Sequence, residues 1–498
     1  MKKITLLIVM LLCIAMLASC GEKPATTPPA DDNVAVSGDC TITVDNDDSK
    51  GSIAFTDAEG KTMASCKKGD TVTITVTPKV DYAVKSFTIN GKELALNNGS
   101  ITLQVNGNFQ IATTYEEVTY TRATDPILEE RRNKAEASMR AFCSTLFVYD
   151  RDLPYAARGA DHSMVKDTIY RGVPYNNGNI SLEGYLNYVK TTENGINYMD
   201  TDRFVDRYGM MMGGSCADAV YWAWSEISDS LTFRWASESS PNRGCLIVGD
   251  WTYHGATEYG DTHAIVAENG TEVMFKSYAQ LLKADGISFQ NKGAGAHIAM
   301  IVENHIEYNA DGTINGDYSY VTYHDTNGYT IDVEVELPDG EVVTAKSTTQ
   351  VDCKASYNIL FSRGYVPITI LELVDRNKEV TSTKVEDSKA GELNADNVLK
   401  GVISCNYYMD YHTMVITDKA GNVVQKAVRQ SYEMNHKDFD VKNFGNMYFD
   451  DNKDVYELYV GDDKIDLDAL SAGTYHCTLT SHIGNGEEIV VRDFDFTV

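Results

Sequence analysis

One cysteine stands where the sequence predicts the first turn of a helix. Cys216 follows two glycines and Ser215 in the stretch GMMMGGSCADAVYWAWSEIS, and Asp218 stands three residues after that serine. A serine with a carboxylate three residues later is the pattern of a helix N-cap, and Val220 and Trp224 then fall on one apolar helical face. The free N–H groups at the start of a helix stabilise a thiolate. This position therefore predicts that Cys216 is a nucleophile.

A nucleophilic cysteine needs a base, and the base needs a side chain that orients it. His297 begins an apolar strand after a glycine-rich turn in GAGAHIAMIVEN, and His324 lies in the next predicted strand, YSYVTYHD. Alternation along the two strands predicts that both histidines face the same side. His254 and His263 are rivals for the base, and His263 is the more serious because it also begins an apolar run. The glycine-rich turn favours His297.

Together these segments resemble the CHAP-type and related papain-like cysteine peptidases and amidases of bacterial cell walls. The motifs that carry the resemblance are GGSCADAVYWAW, LLKADGISFQNKGAGAHIAMIVE and a polar residue on the following strand. The resemblance implies that Cys216 is the nucleophile, His297 the base and His324 the orienter. Asp325 and Asn327 are competing orienters, because they follow His324 directly in VTYHDTN.

Two departures from that pattern and one further match accompany the resemblance. The usual DCSG around the nucleophile is SCADA here, and Cys216 and His297 stand 81 residues apart, which implies an insertion near 229–270. The segment YRGVPYNNG resembles the segment ahead of the cysteine in these enzymes. That match implies that Tyr175 lines the substrate cleft.

The activity implied by the resemblance is hydrolysis of amide bonds in cell-wall peptidoglycan peptides, through a Cys–His–polar triad that requires no metal or organic cofactor. Two alternatives stay open. A transglutaminase-like cysteine protease would use Asp325, which Thr326 follows, as its third residue. A surface protein without enzymatic activity would bind or adhere and would keep only a degenerate papain-like scaffold.

The N-terminal residues predict export and a lipid anchor. Residues 1–19 have two lysines followed by a long apolar run, which is typical of a signal peptide. The ending LASC resembles a bacterial lipobox, which implies cleavage before Cys20 and lipid attachment to its thiol. Residues 20–37 are rich in proline, threonine and aspartate and are predicted to be a tether. We therefore expect the protein on the extracellular face of the membrane, held by acyl chains.

The rest of the chain is predicted to contain three domains. Residues 38–118 alternate Thr, Val and Ile with turn residues, which predicts an all-β domain, and they resemble internalin-type bacterial β-repeats. Residues 119–375 mix helical and strand patterns, and the resemblance implies a papain-like α+β catalytic core there. Residues 376–498 predict a β-sandwich. The expected fold class is thus a papain-like α+β core flanked by two all-β domains.

The C-terminal segment has one further signature. In GTYHC, Tyr475 stands two residues before Cys477, which is the tyrosine-corner spacing of immunoglobulin-like sandwiches. Cys405 would be the earlier-strand partner of Cys477 in a disulfide, although no tryptophan lies between the two cysteines as it does in antibody domains.

The charge of the chain excludes one class of partner. It has 43 basic and 72 acidic residues and a formal net charge of −29, which becomes −31 when Lys2 and Lys3 leave with the signal peptide. Such a chain is repelled by nucleic acid, and the sequence has no basic stripe that would bind it. The cysteines and histidines show no zinc-site spacing. An amide substrate and a membrane are the partners that remain.

Overall fold

The protein is described from a computed structural model in which the chain divides into two compact units, Met1–Thr119 and Tyr120–Val498. The structure describes residues 34–36, 38–153, 164–175, 180–200, 213–228, 245–253, 261–291, 295–378, 382–430, 447–450, 455–461 and 465–498. The predicted signal peptide, Cys20 and His254 lie outside these residues. No helix in the described part of the chain combines the length and apolar character needed to span a membrane.

The first unit is built only from strands within its described residues. The strands are β1 (Val34–Val36), β2 (Ile42–Asp45), β3 (Gly51–Thr56), β4 (Thr71–Pro78), β5 (Tyr82–Ile89), β6 (Lys92–Glu93), β7 (Ser100–Gln104) and β8 (Phe109–Glu117). They form one sheet in the order β1-β2-β8-β5-β6 and a second in the order β3-β4-β7. Alternate residues of β4 are buried, as its alternating sequence predicts. The predicted tether, 20–37, includes β1, which instead pairs with β2.

The N-terminal part of the second unit surrounds one large sheet. Its elements are α1 (Pro126–Ser144), β9 (Leu146–Val148), β10 (Ile169–Arg171), α2 (Leu182–Leu186), β11 (Val189–Glu193), β12 (Ile196–Met199), α3 (Cys216–Ser225), β13 (Cys245–Ile247), α4 (Thr262–Tyr278), β14 (Gly286–Asn291), β15 (Gly295–His305), β16 (Tyr320–Glu336), β17 (Val342–Ser356), α5 (Tyr357–Ser362) and β18 (Val366–Ile370). The ten strands follow the order β11-β12-β9-β10-β17-β16-β15-β14-β18-β13.

The prediction of a papain-like α+β core is wrong. Strands predominate in the described part of the chain, with 46% of the residues in strands and 17% in helices. The physical reason lies in β16 and β17, which are 17 and 15 residues long and form one extended hairpin. Their alternating sequences pair far beyond the segment that contains His324 and Asp325, and β9 to β12 join the same sheet. The sequence pattern around Cys216 and His297 does not predict how far the hairpin of β16 and β17 extends or which strands join it.

The C-terminal part of the second unit consists of two four-stranded sheets. Its strands are β19 (Val385–Asp387), β20 (Val402–Cys405), β21 (Met409–Asp418), β22 (Val423–Gln430), β23 (Met447–Asp450), β24 (Val455–Tyr459), β25 (Thr474–Ile483) and β26 (Glu488–Thr497). The sheets have the orders β19-β20-β24-β23 and β22-β21-β25-β26. The Tyr475 hydroxyl donates a hydrogen bond of 2.8 Å to the carbonyl of Ser471, four residues upstream.

The predicted disulfide between Cys405 and Cys477 is not formed in the structure, where both residues are buried thiols. Cys405 lies in β20, where its Cα partner is Tyr456, and its sulfur accepts a hydrogen bond from the backbone N–H of Tyr407. Cys477 lies in the other sheet, where it faces Ile416. Each cysteine fills a core position of its own sheet.

The two parts of the second unit share one hydrophobic core through α3. The ring of Trp222 meets the ring of Tyr408 edge to face, with the ring centroids 5.0 Å apart. The hydroxyl groups of Tyr221 and Tyr456 lie 3.3 Å apart. The helix that begins at Cys216 is therefore packed on one side by residues of the C-terminal sheets.

Candidate active site

Cys216 is the first residue of α3, as the sequence predicts. Ser215 is the N-cap, and its hydroxyl accepts a hydrogen bond of 3.4 Å from the backbone N–H of Asp218. The carboxylate of Asp218 accepts one of 2.6 Å from the N–H of Ser215, so the capping box is confirmed. This reciprocal pair fixes the point at which the helix begins. Cys216 is held there with 7% of its surface exposed.

The rest of α3 anchors the cysteine in the core. Every described residue from Asp218 to Ser225 is buried. The indole N–H of Trp224 donates a hydrogen bond of 2.8 Å to the carbonyl of Ala284, in the turn that precedes β14. A helix buried on all sides cannot rotate about its axis without breaking these contacts. The direction in which Cys216 points is therefore set by packing.

His297 lies on β15 and contacts a carboxylate of the next strand. Its Nε2 atom is 2.7 Å from Oδ1 of Asp325, and the two side chains are only 15% and 12% exposed. The other oxygen of Asp325 accepts a hydrogen bond of 3.3 Å from the side-chain amide of Asn327. Asp325 is thus held from one side by Asn327 and presents its free oxygen to the imidazole.

His297 also interacts with Cys216. Asp325 and Cys216 are the two side chains whose interactions raise the pKa of the imidazole, and the Asp325 carboxylate lies at Nε2 of the ring. Burial by itself would lower the pKa of His297, but the contacts with Asp325 and Cys216 outweigh it and raise that pKa to about 10. At neutral pH the ring is an imidazolium, which is the partner that favours a thiolate.

The prediction that His324 orients the imidazole is wrong, and the strand register is the reason. In the pairing of β15 with β16, Ile301 is the Cα partner of Tyr323 and Met300 is the partner of His324. Residues two apart on a strand share a face. His297 therefore shares its face with Ile301, and Asp325 shares that same face with Tyr323. His324 points to the other side of the sheet.

His324 instead belongs to a buried network with α1. Its Nε2 lies 2.8 Å from a carboxylate oxygen of Glu136, and its Nδ1 accepts a hydrogen bond of 3.3 Å from the backbone N–H of Asp352. The side chain is fully buried, and burial lowers its pKa. Arg140 completes the network by pairing with both Glu136 and Asp352. The network ties α1 to a bulge in β17, directly behind Asp325.

Tyr175 lies next to the segment that leads into α3. Its backbone forms a bridge with Gly214, two residues before Cys216, and its N–H donates a hydrogen bond of 2.9 Å to Oγ1 of Thr348. Its ring lies against Gly328, at a distance of 3.7 Å from the position that a Cβ would take. Tyr175 therefore stands between the segment that leads to the nucleophile and the segment that follows Asp325.

Two aromatic residues near His297 were not predicted from the sequence. Phe289 is the Cα partner of His297 on β14, and its ring centroid lies 5.9 Å from the centroid of the imidazole. The ring centroid of Tyr365 lies 6.5 Å from the centroid of the imidazole. Phe289 and Tyr365 also meet edge to face. Phe289 is half-buried on β14, and the contact with Tyr365 depends on the order of the strands in the sheet.

The rival base, His263, lies on α4 and not on the two strands that carry His297 and Asp325. It is an exposed residue in the first turn of α4, and its backbone N–H bonds to the N-cap Asp261. The side chain that the structure brings to Cys216 is that of His297. In the described part of the chain, no group of three or more His, Cys, Asp and Glu residues has the arrangement of a metal site.

Comparisons with known proteins add little to this geometry. No protein-family model matches the chain, and no curated protein matches it. One solved structure, described as the crystal structure of a tetra-tandem repeat in the extending region of a large adhesion protein, is 11% identical. It covers 90% of this chain and 99% of its own, with a TM-score of 0.15.

Proposed function

We propose that this protein is a cysteine hydrolase that cleaves amide bonds through the triad Cys216, His297 and Asp325. The observation that carries the proposal is the contact of the His297 imidazole with Asp325, with Nε2 2.7 Å from the carboxylate, together with the interaction of the same ring with Cys216. A nucleophile, a base and an orienter in this sequence of contacts are what covalent acyl transfer needs.

The first half of the reaction forms an acyl-enzyme. The Cys216 thiolate attacks the carbonyl carbon of the amide and produces a tetrahedral intermediate. The His297 imidazolium gives its proton to the nitrogen of the leaving group, the C–N bond breaks, and a thioester remains on the sulfur. Asp325 keeps the ring in place and stabilises its charged form. Because the three side chains are mostly buried, these electrostatic interactions are weakly screened by solvent.

The second half regenerates the enzyme. A water molecule attacks the thioester carbonyl while His297 accepts a proton from it, and the C–S bond breaks to release the acid. The backbone N–H of Cys216 supports both halves, because the first N–H groups of a helix have no intrahelical acceptor. Directed at the attacked carbonyl oxygen, this donor stabilises the negative charge of each tetrahedral intermediate.

The substrate that we propose is a peptide of the bacterial cell wall. Two features of the sequence support it: the motifs around Cys216 and His297 resemble those of cell-wall peptidases and amidases, and the first 20 residues have the pattern of a lipoprotein signal. An enzyme anchored at Cys20 on the outer face of the membrane would meet cell-wall peptides directly.

A transglutaminase-like activity is the second candidate, and the contact between His297 and Asp325 favours it equally. A transglutaminase-like enzyme also uses Asp325 as the third residue. It differs in the molecule that accepts the acyl group from Cys216. A primary amine would replace water in the second half of the reaction. Addition of a primary amine to the assay distinguishes the two candidates, since the transferase would form a new amide with it.

The test compares the full chain with its Cys216→Ser variant on purified peptidoglycan. We expect release of soluble peptide or amine groups by the wild type and a loss of at least about 1,000-fold in the variant, because the hydroxyl is a far weaker nucleophile here. Cys353→Ser is the matched control, since it removes a half-buried thiol from β17. Equal rates for wild type and Cys216→Ser would refute the proposal, and equal circular dichroism spectra would exclude misfolding as the cause of a loss.

A further inference from the structure

Two cysteines of the first unit face each other across its two sheets. Cys40 and Cys66 form an antiparallel bridge, in which the N–H of Cys40 donates a hydrogen bond of 3.3 Å to the carbonyl of Cys66. Opposed residues in such a bridge have Cα atoms about 4.5–5.5 Å apart. Disulfides span Cα distances of about 4.4–6.8 Å. The backbone therefore already holds the pair at bonding distance.

Both side chains are free thiols in the structure. The sulfur of Cys66 lies 3.0 Å from the carbonyl oxygen of Cys40, so it sits over the backbone of its partner. Both residues are buried, with 6% and 0% of their surfaces exposed. The segment is tightly packed, because a Cβ on Gly38 would lie 2.4 Å from the carbonyl oxygen of Cys66.

We propose that Cys40 and Cys66 form a disulfide bond that fastens the two sheets of the first unit to each other. Cys40 directly precedes β2 of the five-stranded sheet, and Cys66 precedes β4 of the three-stranded sheet. The bond closes a loop between residues 26 positions apart. A loop of this length removes much of the freedom of the unfolded chain, which stabilises the folded unit.

The bond is specific to this pair. Among the described residues no other two cysteines are Cα partners: Cys353 faces Tyr323, and Cys245 faces Ile370. Six further cysteines lie in the second unit, so they serve as controls within the same molecule. The inference is independent of the chemistry proposed for Cys216.

The oxidant that we name is a low-molecular-weight or protein disulfide. One protein thiolate attacks one sulfur of the oxidant and forms a mixed disulfide with it. The other half of the oxidant leaves as a thiolate. The second protein thiolate attacks the protein sulfur of that mixed disulfide. The half of the oxidant that was still bonded to the protein is released as a thiolate. Two thiols thus lose two protons and two electrons, which reduce the oxidant to two thiols. Because burial raises the pKa of Cys66, we expect the bond to form mainly while the unit folds.

The experiment refolds the full chain in a mixture of oxidised and reduced glutathione, alkylates the remaining thiols and maps peptides without reduction by mass spectrometry. We expect a cross-linked peptide pair that contains Cys40 and Cys66, with the six cysteines of the second unit alkylated. Alkylated Cys40 and Cys66, or a cross-link of either to another cysteine, would overturn the proposal.

Thermal unfolding supplies the second readout. We expect the reductant tris(2-carboxyethyl)phosphine to lower the melting temperature of the first unit by on the order of 10 °C, while the transition of the second unit is unchanged. The Cys40→Ser/Cys66→Ser variant should melt at the reduced temperature with or without reductant. A wild-type transition that does not respond to reductant would contradict the stabilising role.

Discussion

Nε2 of His297 lies 2.7 Å from Oδ1 of Asp325, while His324, the neighbour of Asp325 in sequence, is buried on the opposite face of the same strand. The two residues that follow each other in the chain therefore have unrelated roles. Asp325 contacts the imidazole, and His324 bonds to Glu136 of α1. Substitutions at these adjacent positions should therefore differ: a change of Asp325 should affect the reaction, and a change of His324 should affect the stability of the fold.

Replacement of Asp325 should impair the reaction and leave the fold intact. We expect Asp325→Asn to lower kcat/KM by about 1,000- to 10,000-fold, because the neutral amide no longer stabilises the imidazolium or selects the orientation of the ring. The measurement is steady-state kinetics on the peptidoglycan substrate or on a model amide that the wild type cleaves.

His324→Gln is the matched comparison at the next position. It removes a fully buried hydrogen-bonded imidazole, so we expect a loss of about 1–3 kcal/mol in the free energy of unfolding. Urea denaturation measures that loss, and kcat at a temperature where the variant is folded should stay within a few-fold of the wild type. If His324→Gln abolished turnover in a folded protein while Asp325→Asn did not, the assignment of the third residue would be reversed.

The pH dependence follows from the raised pKa of His297. The imidazolium must be protonated to give its proton to the leaving nitrogen, so kcat/KM should fall as the pH rises through about 10. Asp325→Asn removes a contact that raises this pKa, and the alkaline limb of the profile should move to lower pH. A limb at the same pH in wild type and variant would mean that Asp325 does not act on the imidazole.

The same shift links His297 to stability. A histidine that is free in the unfolded chain titrates near 6.5. Its higher pKa in the folded protein stabilises the fold fully below about pH 6.5, and this contribution is lost as the pH rises towards 10. Unfolding by urea at pH 7 and pH 10 should therefore show a larger loss of stability in the wild type than in His297→Gln.

The helix that holds the nucleophile depends on the C-terminal sheets. Trp222 is 4% exposed and packs against Tyr408, so Trp222→Ala should lower the free energy of unfolding of the second unit by about 3–5 kcal/mol. The first unit is a separate compact unit, and we expect it to melt unchanged. Tyr318→Ala, at a residue that is 70% exposed, is the control and should have little effect.

The local features of the site follow from the sequence, because they depend on short-range patterns. Ser215 and Asp218 mark the helix start by their spacing, and the apolar run after His297 marks β15. The choice between His324 and Asp325 depends on the register of β15 against β16, where a shift of one residue exchanges the two faces. No local pattern fixes that register.

The wrong fold class has a similar origin. The resemblance around Cys216 and His297 concerns a few short segments, whereas the architecture is dominated by the long hairpin of β16 and β17. How far such a hairpin extends, and which strands join its edge, depends on contacts between residues far apart in the chain. The same limit applies to Cys40 and Cys66, whose pairing becomes visible only when the two sheets of the first unit are placed together.

The reactivity of Cys216 tests the central claim most directly, because it requires no knowledge of the substrate. The folded full chain is treated with limiting iodoacetamide at pH 7, and the rate of alkylation of each cysteine is measured by mass spectrometry. The account predicts that Cys216 reacts at least about 10-fold faster than Cys353, the half-buried thiol, and that His297→Ala removes this advantage. Alkylation of Cys216 at the rate of the other buried cysteines, unchanged by His297→Ala, would contradict the account.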